Sequence, residues 1–165
     1  MSNRNKGKRV IRICNWRESY MDYLEMAIKM EIDGEEFYTK QAIKNKDNAA
    51  YQIFTYLAQE EKKHAQIIEN MSKKLPAGLT PEIDLEEQKN PFQELKGFQI
   101  DIKTTPKKQL DVYRLALKKE QESIDFYQDI LEKINNFEGQ KIINFLILQE
   151  KNHYKIFDEI IDHVL

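Results

Sequence analysis

A single cysteine, Cys14, is all the thiol this chain carries. That excludes an intrachain disulfide and any zinc or iron site built from several thiolates. Glycine and proline are also scarce, 5 and 4 in 165 residues, so the punctuation of a turn-rich sheet is missing and long helices are favoured. No run of 18 apolar residues exists to form a transmembrane helix. A net charge of -2 exerts no global pull toward nucleic acid or a membrane surface. Charge of one sign gathers only at the start, where Arg4, Lys6, Lys8, Arg9, Arg12 and Arg17 meet no acid. The apolar stretch Val10 to Cys14 is short and broken by Arg12, so a secretory core is absent. Residues 1–18 read as a flexible basic arm, with a weak contact to an anionic surface as the sharper alternative. The lone cysteine suits a reducing cytoplasm.

What is present is charge and helical periodicity. Charged residues make up 33% and hydrophobic ones 41%, and the length suits one domain with a single core. Four long segments repeat apolar residues at helical spacing. The first runs from about Ser19, its expected N-cap, to Asn45. The second opens near Asp47, another expected cap, and ends before Pro76. The third opens on Thr105 with Pro106 in its first turn and runs to about Ile134. The fourth spans about Glu138 to His163. Residues 75–104 between the pairs read as a crossover, with a helical turn around Ile83 to Lys89.

The chain also repeats itself. A shift of 89 residues lays "AIKMEIDGEEFY" (27–38) on "ALKKEQESIDFY" (116–127) and, without a gap, "LAQEEKKHAQI" (57–67) on "LILQEKNHYKI" (146–156). Glu31 falls on Glu120, Tyr38 on Tyr127, Glu61 on Glu150 and His64 on His153. The fold expected is all-α, two copies of a helical hairpin (about 19–74 and 105–163) joined by the crossover. The repeat also selects among neighbouring acids. Glu60 and Glu61 both sit within a helical turn of His64, but Gln149 stands at the position of Glu60 in the second copy. Likewise Glu35 is matched by Ile124, so Glu31 is the glutamate both copies keep.

These shared positions lie on apolar stripes. Leu24, Ala27, Ile28, Glu31, Gly34 and Tyr38 form one; Tyr113, Ala116, Leu117, Glu120, Ser123 and Tyr127 another; Ile143, Leu146, Glu150, His153, Phe157 and Ile160 a third. In the second segment Ile53, Phe54, Leu57 and Ile68 flank Glu61 and His64. If four such stripes meet, four carboxylates and two imidazoles converge where they cannot all ionise without a counter-charge. Two divalent cations balance four carboxylates, and this donor set suits iron or manganese better than copper or zinc. A lone Glu-x-x-His is usually a surface accident; two of the chain's three histidines in that motif, on buried stripes at one common offset, are not. His163 has no partner pattern and reads as solvated.

"MEIDGEEFY" with "EEKKHA", echoed by "KEQESIDFY" with "QEKNHY", resembles the rubrerythrin branch of the ferritin-like di-iron carboxylate proteins. Their motif is a Glu from each of two helices and a Glu-x-x-His from each of two others. The resemblance covers about residues 19–163 and implies a ferritin-like four-helix bundle holding two iron ions, with manganese or a mixed pair as variants. It implies Glu31 and His64 as terminal ligands of one metal, Glu120 and His153 of the other, and Glu61 and Glu150 as bridges. Two departures stand out. Ser123 occupies a place where rubrerythrins usually carry a further carboxylate, and the four cysteines of a rubredoxin-like module are missing, so electrons are expected from a separate rubredoxin-type protein.

Three functions follow from the resemblance. The first is an oxidoreductase reducing hydrogen peroxide or dioxygen in oxidative-stress defence, cytoplasmic and homodimeric, with no nucleic-acid or membrane partner. A ferroxidase handling iron is the second, and a helical binding module with a structural metal pair the third. Tyr38 and Tyr127 lie two turns beyond Glu31 and Glu120 on the same faces, where they can hydrogen-bond the ligand carboxylates or simply fill the core.

Overall fold

The computed structural model describes residues 10–73 and 106–165. Four helices account for nearly all of them: α1, Val10–Lys44; α2, Ala50–Lys73; α3, Leu110–Lys133; and α4, Phe137–Val164. No strand occurs among the described residues, and no helix there is long and apolar enough to cross a membrane. The crossover, with the turn expected around Ile83 to Lys89, lies outside the described residues, as do residues 1–9 and Thr105.

Helix starts depart from the sequence expectation, each for a local reason. α1 is already helical at Val10, the first described residue, and no glycine or proline lies between there and Ser19 to interrupt it. Ser19 is therefore inside the helix rather than at its cap, and the second half of the expected arm is helical. α2 begins at Ala50, and its capping oxygen comes from Asn48 rather than Asp47: Asn48 Oδ1 accepts from the Ala50 N–H at 2.9 Å. Pro106 is extended (φ -69°, ψ 121°) and opens a short 3₁₀ turn, Lys107–Gln109, before α3 starts at Leu110. α4 is capped by Asn136, whose side chain accepts from the Gly139 N–H at 2.6 Å. A Cβ on Gly139 would sit 2.8 Å from that same Asn136 oxygen, so this cap needs glycine there.

α1 packs along α2 and α3 along α4, forming two hairpins; α1 meets α3, and α2 meets α4, less extensively. The turn of the first hairpin is fastened by buried Asn45, whose Nδ2 donates to the Gln41 carbonyl at 2.8 Å. Gln109 Nε2 donates to Asn45 Oδ1, tying the start of the second hairpin to the turn of the first.

Two apolar clusters fill the bundle. One contains Tyr38, Phe54, Leu57, Tyr113, Ala116 and Phe157; the other contains Leu24, Ala27, Ile68, Tyr127, Ile143 and Leu146. Tyr38 follows Glu31 in α1 whereas Tyr113 precedes Glu120 in α3, yet both tyrosines belong to one cluster. α1 and α3 therefore run antiparallel. In every helix the repeated glutamates and histidines fall between the residues of the two clusters, so the apolar core is interrupted by a single polar layer.

Candidate metal centre

The polar layer is built from residues that hydrophobic periodicity alone would assign to aliphatic side chains. Glu31, Glu61, His64, Glu120, Glu150 and His153 are all buried, with exposures of 0–4%. Each is carried inward because its helix buries the stripe on which it lies, and the apolar neighbours above and below dominate that choice of face. Glu60 stays outside the layer and pairs with Lys63, and half-buried Glu35 lies 3.7 Å from Lys62. His163 is exposed near the end of α4.

The six residues converge as two overlapping groups of four. One ligand atom from each of Glu31, Glu61, His64 and Glu150 lies within 4.8 Å of the others, and the same holds for Glu61, Glu120, Glu150 and His153. Glu61 and Glu150 belong to both groups, and the remaining four residues to one each. His64 Nδ1 stands 2.9 Å from Glu150 Oε1 and 3.4 Å from Glu31 Oε2. His153 Nδ1 stands 3.2 Å from Glu61 Oε1 and 3.5 Å from Glu120 Oε2. The imidazole rings stack with centroids 5.4 Å apart.

Proximity does not amount to hydrogen bonding here. Both ring nitrogens of each histidine, both oxygens of Glu150, Glu31 Oε2 and Glu61 Oε1 are buried without a hydrogen-bond partner. Their separations are short, but the atoms are not aimed along one another's donor and acceptor directions. Buried polar atoms are rarely left so, and each costs about 1–3 kcal/mol. Donor atoms crowded around common points without satisfying one another are what a pair of cations would satisfy. The carboxylate and imidazole set fits iron or manganese on its own chemistry.

The electrostatics point the same way. Burial, followed by the charge of neighbouring carboxylates, pushes Glu61 and Glu150 well above the usual carboxylate range. Burial also acts on Glu31, but the close approach and charge of His64, aided by the Tyr127 hydroxyl, bring it below its ordinary value. Burial disfavours the His64 cation, yet Glu31 and then Glu61 outweigh it and raise His64 to about 9. The layer thus keeps protons where no other positive charge is supplied.

Tyr38 and Tyr127 complete the layer by crossing between repeats. The Tyr38 hydroxyl donates to Glu120 Oε1, and the Tyr127 hydroxyl donates to Glu31 Oε1. The sequence placed each tyrosine on the face of its own helix's glutamate; it did not show that each serves the other helix. Antiparallel α1 and α3 explain the exchange, since helical side chains lean toward their own N-terminus and so reach back to the layer across the seam. Burial first, and then the charge of Glu120 or Glu31, holds both phenols well above their ordinary value, which keeps them as neutral donors. Tyr127→Phe is expected to leave the bundle folded and weaken metal binding about 10–100-fold, the usual cost of losing such a support. Competition against a chelator of known affinity measures it, and unchanged affinity would reduce Tyr127 to core filling.

Gly34 also has a role that its place on the stripe only hinted at. A Cβ there would stand 2.8 Å from Glu61 Oε2, so the glycine makes room for the carboxylate itself. Met30 and Lys119, which line an opening beside the layer, carried no sequence signal because neither departs from ordinary helical patterning.

No match was found for the chain among curated proteins or among solved structures. The rubrerythrin family model does match, over residues 22–161. That span contains all four helices' contributions to the layer. With four antiparallel helices, a duplicated Glu and Glu-x-x-His pattern and a family match across most of its length, the chain belongs to the rubrerythrin family of ferritin-like proteins.

Proposed function

We propose that this protein is a non-haem di-iron oxidoreductase that reduces hydrogen peroxide in a reducing cytoplasm. Electrons come from a separate rubredoxin-type donor, and the working form is a homodimer. The observation carrying the reading is the pair of four-residue groups sharing Glu61 and Glu150. Membership of the rubrerythrin family supports a metal-dependent redox role.

Glu31 and His64 would hold one iron, Glu120 and His153 the other, and Glu61 and Glu150 would hold both. Two ferrous ions supply the two electrons that, with two protons, convert one peroxide to two waters. The protein keeps the pair together and dry. Apolar clusters lie on both sides of the layer, which excludes bulk water and strengthens the electrostatics within. Tyr38 and Tyr127 fix one oxygen each of Glu120 and Glu31, leaving the other oxygen free to face a metal. Both phenols remain protonated and so hold a proton at the edge of the layer.

The same donor set accepts manganese, and ferroxidase activity is the competing assignment for the same centre. Reconstitution under argon with elemental analysis should find two irons per chain; none would remove the di-iron reading. Stopped-flow mixing of the ferrous protein with peroxide should oxidise it at least tenfold faster than equimolar dioxygen. The reverse order, with growth of an iron-loaded particle, would assign ferroxidase activity instead.

A further inference from the structure

The two halves of the polar layer differ in what the repeat places beside their histidines. Buried Tyr56 of α2 sets its ring edge-on to His153 of α4, with centroids 6.4 Å apart and planes at 81°. That spacing is direct ring contact. A shift of 89 residues carries Tyr56 onto Phe145, which packs half-buried against the second apolar cluster. The fold therefore accepts phenylalanine at the equivalent place, and packing alone gives no reason for a hydroxyl at position 56. What the hydroxyl changes is chemistry. A phenol gives up one electron and its proton far more readily than a phenyl ring does. Tyr38 and Tyr127 are less suited to that task, because each donates to a carboxylate of the ligand set, Glu120 or Glu31. Oxidising either would push its proton onto that ligand. They are exposed by only 1% and 0%, whereas Tyr56 keeps 6%, so an external reductant reaches Tyr56 first. Through His153, Tyr56 adjoins one group of donors, Glu61, Glu120, Glu150 and His153.

We infer that Tyr56 is a redox-active residue, the source of the second electron for hydrogen peroxide when iron occupies only the Glu120–His153 half of the layer. Reducing one peroxide to two waters takes two electrons and two protons. One electron comes from the single ferrous ion, which becomes ferric. The other comes from the Tyr56 phenol through the His153 ring. The phenol also releases its proton, becoming a neutral phenoxyl radical, and solvent supplies the second proton. Without the Tyr56 electron, the O–O bond breaks to hydroxide and a hydroxyl radical. One electron from the external donor, with a proton from solvent, restores the phenol. With both irons in place the pair supplies both electrons, and Tyr56 is idle. The inference rests on the di-iron reading and adds to it a guard for the half-loaded centre.

Glu31→Ala leaves the Glu120–His153 group intact, and Glu120→Ala leaves the Glu31–His64 pair. Each variant is loaded with one ferrous ion per chain under argon, mixed with equimolar peroxide, freeze-quenched and read by EPR for a phenoxyl signal. Glu31→Ala is expected to give that signal, and Glu120→Ala at least tenfold less. Adding Tyr56→Phe to Glu31→Ala is expected to lower the signal at least tenfold with the iron content unchanged. A Tyr56 with only a packing role would shift the melting temperature and leave the signal alone. If a variant does not fold or hold iron, wild-type protein carrying one ferrous ion per chain decides the matter. It is mixed with peroxide and a nitroso spin trap, and peptide mass spectrometry is expected to find the adduct on Tyr56. Bound iron without a phenoxyl signal, equal signals from the two halves, a signal surviving Tyr56→Phe, or an adduct elsewhere overturns the inference alone. Absence of iron from the wild-type protein overturns the di-iron reading beneath it, so the two failures are told apart by the iron count.

Discussion

Glu150→Leu is expected to abolish binding of both metals and, at the same time, to raise the melting temperature of the metal-free protein. Glu150 is fully buried, and neither of its carboxylate oxygens has a hydrogen-bond partner. It belongs to both four-residue groups, so its loss removes a donor from each metal at once. Without metal, however, the same side chain is a liability. Burial and the charges of Glu31 and Glu120 push its carboxyl upward, and an unsatisfied buried polar group costs about 1–3 kcal/mol. Leucine has similar volume and extends the apolar stripe that Leu146 and Phe157 already define. A gain of that size is about 2–12 °C in a domain of this length. Elemental analysis and thermal melts monitored by circular dichroism test the two halves separately. Retained iron would remove Glu150 from the ligand set, and a lowered metal-free melting temperature would show that the carboxylate is satisfied in the empty layer.

The wild-type protein should show the complementary behaviour, a large stabilisation on loading. A ligand that binds only the folded state stabilises it by about 2.7 kcal/mol at a hundredfold excess over its dissociation constant. Two such sites contribute about 5 kcal/mol, or about 10–20 °C. The expected result is a melting temperature raised by that amount when ferrous iron is added under argon, and restored to its starting value by a chelator. Glu31→Ala, which touches only one group of four, should bind one iron and recover about half the shift. A wild-type melting temperature indifferent to ferrous and manganous ions would mean that the layer holds no metal.

Much of this site was legible in the linear chain because a repeat makes two independent statements about each position. Glu61 rather than Glu60, and Glu31 rather than Glu35, followed from asking which acid survives a shift of 89 residues. The structure places Glu61 and Glu31 in the polar layer, Glu60 toward Lys63 and Glu35 near Lys62. Helix starts were less legible. Ser19 and Asp47 are good capping residues, but a cap acts only where the chain already leaves the helix. Between Val10 and Ser19 nothing interrupts α1, and at Asn48 the turn of the first hairpin sets the geometry.

The sequence by itself determined that four amphipathic helices would form as two equivalent hairpins, and that six particular ionisable residues would lie on their buried faces. Periodicity is a local property, and burial of an apolar stripe carries along whatever polar residue sits on it. Only the tertiary structure decided which residues meet across the seams: Tyr38 with Glu120, Tyr127 with Glu31, and Glu61 and Glu150 each with both groups of donors. It also decided that the α2–α4 seam is filled by imidazole rings while the α1–α3 seam opens over Gly34 and Ser123. Those pairings depend on the antiparallel order of α1 and α3 and on the lean of side chains toward the helix N-terminus. Neither is written in the spacing of residues along one helix.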